Sequence, residues 1–406
     1  MHEKAELHEP LGPTTQGQRR SLGTLGQFLK GKGIAKSDLT SNGVPCLRYA
    51  EIYTMYGDVI HELRSFVSHA VASKALYLER GDIVFATSGE TNAEIGKAVA
   101  YLGNDKAVAG GDTVVLRGHG QDPSFLAYAL NSEDAVRQKS RLGKGHSIAH
   151  IHVPELTRVE IWLPRVVEQR RIAGILSTWD AAVEATRRTR DLVALQYRAI
   201  AAKKIHLRGP NMRPLKDLLI PDRMQTVDPN GPFRALGVRS HGKGTFQRED
   251  DLTANGSTKT VYRVEADRFI VNIVFAWEGA AAITSQDDAG CLVSHRFPTF
   301  TINREALSLE YFRHLIRTEP FRQLLALASP GGAGRNKTLN RNDLLKFEIH
   351  VPPLPEQTAV ATALGTLDRR ITLLDEYLQR LTIQRDALAT ELLTGRLRVP
   401  QAEAAS

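Results

Sequence analysis

Along two stretches of this chain apolar residues recur at steps of three, four and seven. In the first they are Ile172, Ile175, Trp179, Ala182, Thr186, Val193 and Ile200. In the second they are Val360, Leu364, Leu367, Ile371, Leu374, Leu378, Leu381, Leu388 and Leu392. A repeat near 3.5 residues is the seam of a helix that packs lengthwise on another helix. No proline interrupts 166–208 or 356–399, so the pattern predicts two long helices. About 40 residues at ~1.5 Å each give a length of roughly 60 Å. The second seam is cleaner, because Thr186, Thr189 and Gln196 lie on or beside the first.

The two stretches are copies of one another. A shift of 188 positions lays Glu168-Gln169 on Glu356-Gln357 without a gap. The same frame matches Glu160-Ile161 with Glu348-Ile349, Pro164 with Pro352, and Leu176, Thr178 and Asp180 with Leu364, Thr366 and Asp368. It also matches Gln196, Ala199 and Arg208 with Gln384, Ala387 and Arg396. So many pairs in one frame indicate an internal duplication. Each copy opens on a strand-like run, 159–163 or 347–351, closed by a proline that ends a ladder and can start a helix.

Between these stretches the pattern shortens to α/β segments. Residues 22–29 suggest a short helix, and 44–49, 83–86, 98–102 and 113–116 suggest strands. Asp122 is a fitting N-cap for a helix to Leu130, with Pro123 at its first position. In the second half, 213–219 reads as a helical start and 260–264, 269–277 and 298–302 as strands. Residues 309–328 read as one or two helices broken at Pro320. A glycine-rich basic loop precedes each pre-helix strand, at Arg141–His146 and at 329–337. The globular parts share little letter-by-letter identity.

These observations give an α/β (α+β) chain with two dissimilar globules separated by two repeated helices. Two equivalent helices on one chain can pair, and an approximate two-fold axis makes them antiparallel. The expected divisions are a first globule at 1–163 (1–18 loosely attached), a first helix at 164–208, and a second globule at 209–352. The second helix follows at 353–399 and a tail at 400–406.

Composition narrows the class. With 42% hydrophobic and 24% charged residues, the chain is that of a globular protein. The longest apolar run, 269–283, contains Asn272 and Glu278 and falls short of a membrane span. Cys46 and Cys291 are far apart, as expected of free thiols in a reducing cytoplasm. A net charge of +8 suits a nucleic-acid partner.

The chain resembles the specificity subunits of type I restriction–modification enzymes. The likeness runs from Ser21 to Val399. It is carried by Ile349-His-Val-Pro-Pro-Leu-Pro-Glu-Gln357, the leucine-rich helix after it, the ending Glu391-Leu-Leu-Thr-Gly395, and the turn and strand Gly81-Asp-Ile-Val-Phe-Ala-Thr-Ser-Gly89. The first copy, Leu163-Pro-Arg-Val-Val-Glu-Gln169, keeps one proline where the second has three. The resemblance implies that each globule reads one half of a split double-stranded DNA site. It implies that the helices hold two methyltransferase subunits, and that separate restriction subunits translocate and cut. S-adenosylmethionine, ATP and Mg²⁺ would belong to those partners, with no cofactor, no catalytic residue and no metal in this chain. A cytoplasmic location and no membrane partner follow.

The motifs agree with a non-catalytic role. Asp228-Pro-Asn-Gly-Pro-Phe233 has its second proline displaced from the catalytic loop of adenine methyltransferases and reads as a turn. Lys30-Gly-Lys-Gly33 and His241-Gly-Lys-Gly244 lack the spacing of a phosphate-cradling loop. Glu94 and Lys97 are one residue too far apart for a nuclease Glu-x-Lys. His146, His150, His152 and Glu155 run from a loop into a strand and do not share a helix face as metal ligands.

Contact with DNA calls for Lys and Arg on phosphates and for Arg, Asn, Gln, Ser or Thr on base edges. The first-half candidates are Lys30, Lys32, Lys36, Arg48, Lys139, Arg141, Lys144 and His146. Thr87 and Ser88 are either base readers or strand-end groups. The second-half candidates are Arg223, Arg239, His241, Lys243, Arg248, Arg335 and Lys337. Two other classes fit less well: a coiled-coil scaffold that reads no sequence, and the specificity portion of a split fused restriction–methylation enzyme.

Overall fold

The computed structural model describes residues 17–92, 94–144, 149–228, 231–250, 260–331 and 337–399. Two compact units separate, one of residues up to Ala185 with those from Leu378 onward, the other from Thr186 to Tyr377. Each long helix gives one half to each unit. The first helix is Val166–Lys204 and the second Leu354–Leu393. Both stop short of the expected 208 and 399. The second ends where Gly395 takes a left-handed φ of 73° and its N–H donates to the Leu392 carbonyl, a conformation that glycine adopts at little cost.

In the first unit a five-stranded sheet runs in the order Gln27–Lys30, Thr113–Arg117, Ile83–Ala86, Ala98–Tyr101, Val59–Ile60. All its pairings are antiparallel except the last. Its central strands read as unbroken apolar runs because both faces are covered. Ile83, Phe85, Val114 and Leu116 face a core that also holds Phe125, Ile172, Leu176 and Leu392. Val84, Ala86, Val99 and Val115 face a second core around Ile52 and Tyr101. A second five-stranded sheet holds Val44–Leu47.

The expected helix at 22–29 is a 3₁₀ turn, Leu22–Thr24, followed by the strand Gln27–Lys30. Pairing with Thr113–Arg117 overrides local helix preference, and Gly26 permits it, since a Cβ there would lie 2.4 Å from the Arg117 carbonyl oxygen. Asp122 does cap the helix Pro123–Leu130, accepting from the Phe125 N–H at 2.9 Å.

The second unit has a four-stranded sheet, Leu219–Pro221, Thr299–Ile302, Arg268–Val271, Ala281–Ile283. Phe269, Phe300, Phe312 and Phe321 pack between this sheet and the helices Leu309–Leu315 and Glu319–Leu327, with Phe269 and Phe312 ring centroids 5.2 Å apart. Pro320 lies in the first turn of the second helix, so it starts that helix as well as separating the two. The expected helical start at 213–219 is a 3₁₀ turn, Leu215–Asp217, between two short strands, and the strand expected to Trp277 stops at Val271. There Asn272 Oδ1 accepts from the Val274 N–H and turns the chain.

Inside each unit the helix halves run in opposite directions. In the first unit Glu168 pairs with Arg398 and Asp180 with Arg385, both at 2.9 Å, so partner numbers fall as helix numbers rise. In the second, Arg190 pairs with Asp375 at 2.9 Å, and Ala201 and Ile205 share a core with Val360, Ala361 and Leu364.

The repeated Glu-Gln has a structural use. Gln169 is fully buried; its Oε1 accepts from the Asp122 N–H at 2.9 Å and its Nε2 donates to the Pro164 carbonyl at 2.9 Å. Gln357, also fully buried, accepts from the Ser308 N–H at 2.8 Å and donates to the Pro352 carbonyl at 2.7 Å. Asp122 and Ser308 are the N-caps of Pro123–Leu130 and Leu309–Leu315. One glutamine therefore ties the start of each long helix to the start of a globule helix.

Candidate nucleic-acid interface

The basic candidates of the first unit divide into exposed and enclosed groups. Lys30, Lys32 and Lys36 are exposed around one bend. Gly31 is required there, because a Cβ would lie 2.0 Å from the Gly110 carbonyl oxygen. Arg141 and Lys144 are exposed at the end of the helix Glu133–Leu142. Lys144 exchanges two backbone hydrogen bonds with His150, at 2.8 and 2.9 Å, and its Nζ lies 2.9 Å from Glu155 Oε1. That hydrogen bond is the first cause holding the Glu155 carboxyl below its usual range. His150 and His152 lie exposed beside Lys144, their rings nearly parallel at 8° with centroids 6.2 Å apart. The sequence did not favour them as metal ligands, and here they stand on the same surface as Lys144. His150 ends the strand Ala149–His150, and His152 is the N-cap of the short helix Val153–Leu156. Among the described residues no group of three His, Cys, Asp or Glu is placed to hold a metal.

Four first-half candidates are turned inward. Lys139 is 0% exposed and donates to the Gly96 carbonyl at 2.6 Å; burial pushes its ammonium down to about 7. Helical position explains this: Lys139 lies on the face of its helix that covers Gly96, with Arg141 two residues on and turned outward. Arg48 is drawn onto the buried Glu51 carboxylate at 2.8 and 3.1 Å, which also accepts from Ser65 Oγ at 2.7 Å. Thr87 and Ser88 are 7% and 4% exposed. The Ser88 hydroxyl lies 3.0 Å from His150 Nδ1, and the Thr87 carbonyl accepts from the Ile151 N–H. These four are enclosed by the fold's own partners and are corrected from contact residues to supporting ones. His146 lies outside the described residues, as does Arg335 in the second half.

In the second unit the hairpin of Phe233–Val238 and Thr245–Asp250 carries most of the candidates. Its turn holds Arg239, His241 and Lys243, all exposed. His241 sits at φ 63° between two chain segments, its N–H donating to the Glu278 carbonyl, while the Gly242 N–H donates to Gly279. The Arg239 guanidinium lies 5.0 Å over the exposed Phe246 ring. Beside the turn, Lys337 stands 5.3 Å over Trp277. The structure thus gathers Arg239, His241, Lys243 and Lys337 around one turn. Arg248 lies further along the strand, 3.3 Å from Asp250, and Arg223 stands on a separate loop. Basic groups set over rings at a sheet edge suit both phosphates and stacked bases.

The family model for the type I restriction modification DNA specificity domain matches residues 17–193 and 246–382, well over half of the chain. The chain belongs to the type I restriction–modification specificity subunits. Among its relatives is a putative type I restriction enzyme MjaX specificity subunit of Methanocaldococcus jannaschii, 23% identical over 79% of either chain. The MjaVIII specificity subunit of the same organism is 27% identical over 40% of this chain and 39% of its own. The fold is shared with the type I restriction–modification S subunit from M. genitalium, at TM-score 0.56 and 14% identity over 95% of this chain and 98% of that one. A chain solved in a study of complex assembly and conformational transition of the type I system gives TM-score 0.55 and 16% identity over 96% and 100%. Specificity subunits are the DNA-recognising, non-catalytic members of these enzymes, so this subunit's exposed basic turns are its candidate DNA contacts. No helix among the described residues is long and apolar enough to cross a membrane.

Proposed function

We propose that this specificity subunit reads a bipartite DNA target, one half-site per globule, and docks the other subunits of the enzyme on its long helices. What supports the reading is one attachment used twice. The same buried glutamine ties each helix copy to a globule whose sheets differ from the other's. A repeated holder with dissimilar heads suits an asymmetric target. In the first globule Lys30, Lys32, Lys36, Arg141 and Lys144 meet phosphate, with His150 and His152 beside them. In the second, Arg239, His241, Lys243 and Lys337 take that part, with Arg223 and Arg248 flanking.

Two methyltransferase subunits carrying S-adenosylmethionine methylate an adenine in each half-site, and restriction subunits supply ATP- and Mg²⁺-dependent translocation and cutting in the cytoplasm. The chain contributes address and assembly. Purified alone with S-adenosylmethionine it should transfer no methyl group to DNA; adding the methyltransferase subunit should switch methylation on at one bipartite sequence. Turnover by the isolated chain, or methylation without sequence preference in the assembly, would refute the proposal.

A further inference from the structure

In each unit a globule helix meets a long-helix half at a polar joint, and the chemistry of the two joints is exchanged. In the first unit the cation comes from a long helix and the ring from the globule. The Arg385 guanidinium lies 5.6 Å over the Tyr128 ring, donates to Asp180 at 2.9 Å and reaches Asp58 at 3.4 Å. The Tyr128 hydroxyl donates to Asp180 at 2.7 Å. In the second unit the ring comes from the long helix. Tyr197 lies under Arg317 at 5.1 Å, and its hydroxyl is 2.9 Å from His314 Nδ1. Arg317 grips Asp368 through both nitrogens, at 2.7 and 3.1 Å.

The positions are equivalent. The shift of 188 that relates the helices lays Asp180 on Asp368 and Tyr197 on Arg385. A shift of 186, fixed by the glutamine-bound N-caps Asp122 and Ser308, lays Tyr128 on His314 and Asn131 on Arg317. The aspartate is retained, while cation and ring have changed sides.

We propose that this exchange is a pairing code: it makes each half of the chain accept the helix of the other half and reject the like half of a second copy. The helices are similar enough for like halves to be the nearest competitor. Pair two N-terminal halves, and Tyr197 takes the place of Arg385. Asp58 and Asp180 then face each other without their arginine, a like-charge arrangement in a desolvated joint. The same pairing also lays Arg187 where Asp375 stood, so that Arg190 meets an arginine. Pair two C-terminal halves, and Arg385 takes the place of Tyr197. Arg317 then shares Asp368 with a second arginine, and His314 loses the hydroxyl. Each wrong pairing is opposed by charge, and the right one satisfies both joints. Specificity of this kind rests on the penalty for the wrong partner as much as on the fit of the right one. The inference concerns pairing alone and stands whether or not the globules read DNA as proposed.

The test starts from the whole folded chain with a protease site inserted between Arg208 and Gly209. After cutting, isotopically heavy and light preparations are unfolded together, refolded together and weighed by native mass spectrometry. N-terminal halves should pair with C-terminal halves in every isotopic combination, and like-half pairs should stay far below their statistical share. With Tyr197→Arg, pairs of N-terminal halves should rise about tenfold or more, because the arginine now meets Tyr128, Asp58 and Asp180 of the other copy. Like-half pairs at the statistical share in the unaltered sequence, or no rise with Tyr197→Arg, would overturn the code. The uncut chain gives an independent reading. Tyr197→Arg should lower its thermal midpoint by about 5 °C or more. Adding His314→Tyr and Arg317→Asn, which rebuilds the first joint in the second, should recover most of that loss. A triple variant no more stable than the single one would count equally against the proposal.

Discussion

The two units are held alike and headed differently. In both, a strand from the start of the globule pairs with the strand before a long helix, Gln18–Ser21 with Glu160–Leu163 and Met212–Pro214 with Glu348–His350. In both, a buried glutamine joins two helix starts. Above that collar the units part. The first presents its basic groups on two loops and a short strand, the second on the turn of an edge hairpin and on Lys337, with Arg239 over Phe246 and Lys337 over Trp277. What is repeated is therefore the attachment, and what has diverged is the surface offered to a partner.

Breaking the collar is expected to have the largest effect. Gln169→Ala leaves the Asp122 N–H and the Pro164 carbonyl buried and unpaired, which costs about 3 kcal/mol. Gln357→Ala does the same to the Ser308 N–H and the Pro352 carbonyl. Hydrogen exchange should show each loss confined to the variant's own unit. Loosening of the other unit by either substitution would mean that the collars are not separate devices.

The heads are compared through salt. Arg141→Ala with Lys144→Ala should shallow the dependence of DNA affinity on salt by about two units of slope for one half-site, and Arg239→Ala with Lys243→Ala by a similar amount for the other. Arg48→Ala and Lys139→Met sharpen the contrast, since both residues are spent inside the fold. Arg48→Ala should lower stability, because it leaves the buried Glu51 carboxylate without its partner, and both substitutions should leave the salt slope unchanged. A slope that moves with Lys139 would return it to the DNA surface.

A pH dependence follows from the same lysine. Burial lowers its ammonium to about 7, from the ordinary 10.5. Between those values the unfolded chain binds more protons than the folded one, so stability rises with pH across that window and falls away toward pH 7. Denaturant titrations from pH 7 to 9.5 should show that rise in the parent chain and a flatter line in Lys139→Met. His314 is lowered by burial first and then by Arg317, so its contribution is complete above about pH 6.5 and is lost as pH falls below it. His314→Gln should remove that acid-side loss from the second unit only.

Much of this was legible in the residues. The repeated seam located both long helices, and an Asp-Pro pair located the helix at Pro123. Four apolar runs were readable as strands because each is too short for a helix of ordinary length, which periodicity alone would not have decided. The short elements at 22–29 and 213–219 were misread. Their strand character comes from partners far along the chain, Thr113–Arg117 for the first and Glu348–His350 with Thr299–Ile302 for the second. Site residues were hardest. A lysine on the inward face of a helix and one just past its end are the same letter, and only packing separates Lys139 from Lys144. The collar glutamines were visible as a repeat, but their use depended on what the fold brings to them.

The most direct measurement lengthens both long helices. Four residues inserted beside Thr186, and four beside its aligned partner Leu374, add about 6 Å to each helix at ~1.5 Å per residue, and about one turn lets the seam re-form. Assembled with the methyltransferase subunits, parent and extended chains are assayed on substrates that differ only in the spacer between the half-sites. If the helices set the distance between two readers, the extended chain keeps both half-site sequences and prefers a spacer about two base pairs longer, at ~3.4 Å per pair. An extended chain that folds, assembles and still prefers the original spacer would contradict the account and leave the helices a role in assembly alone.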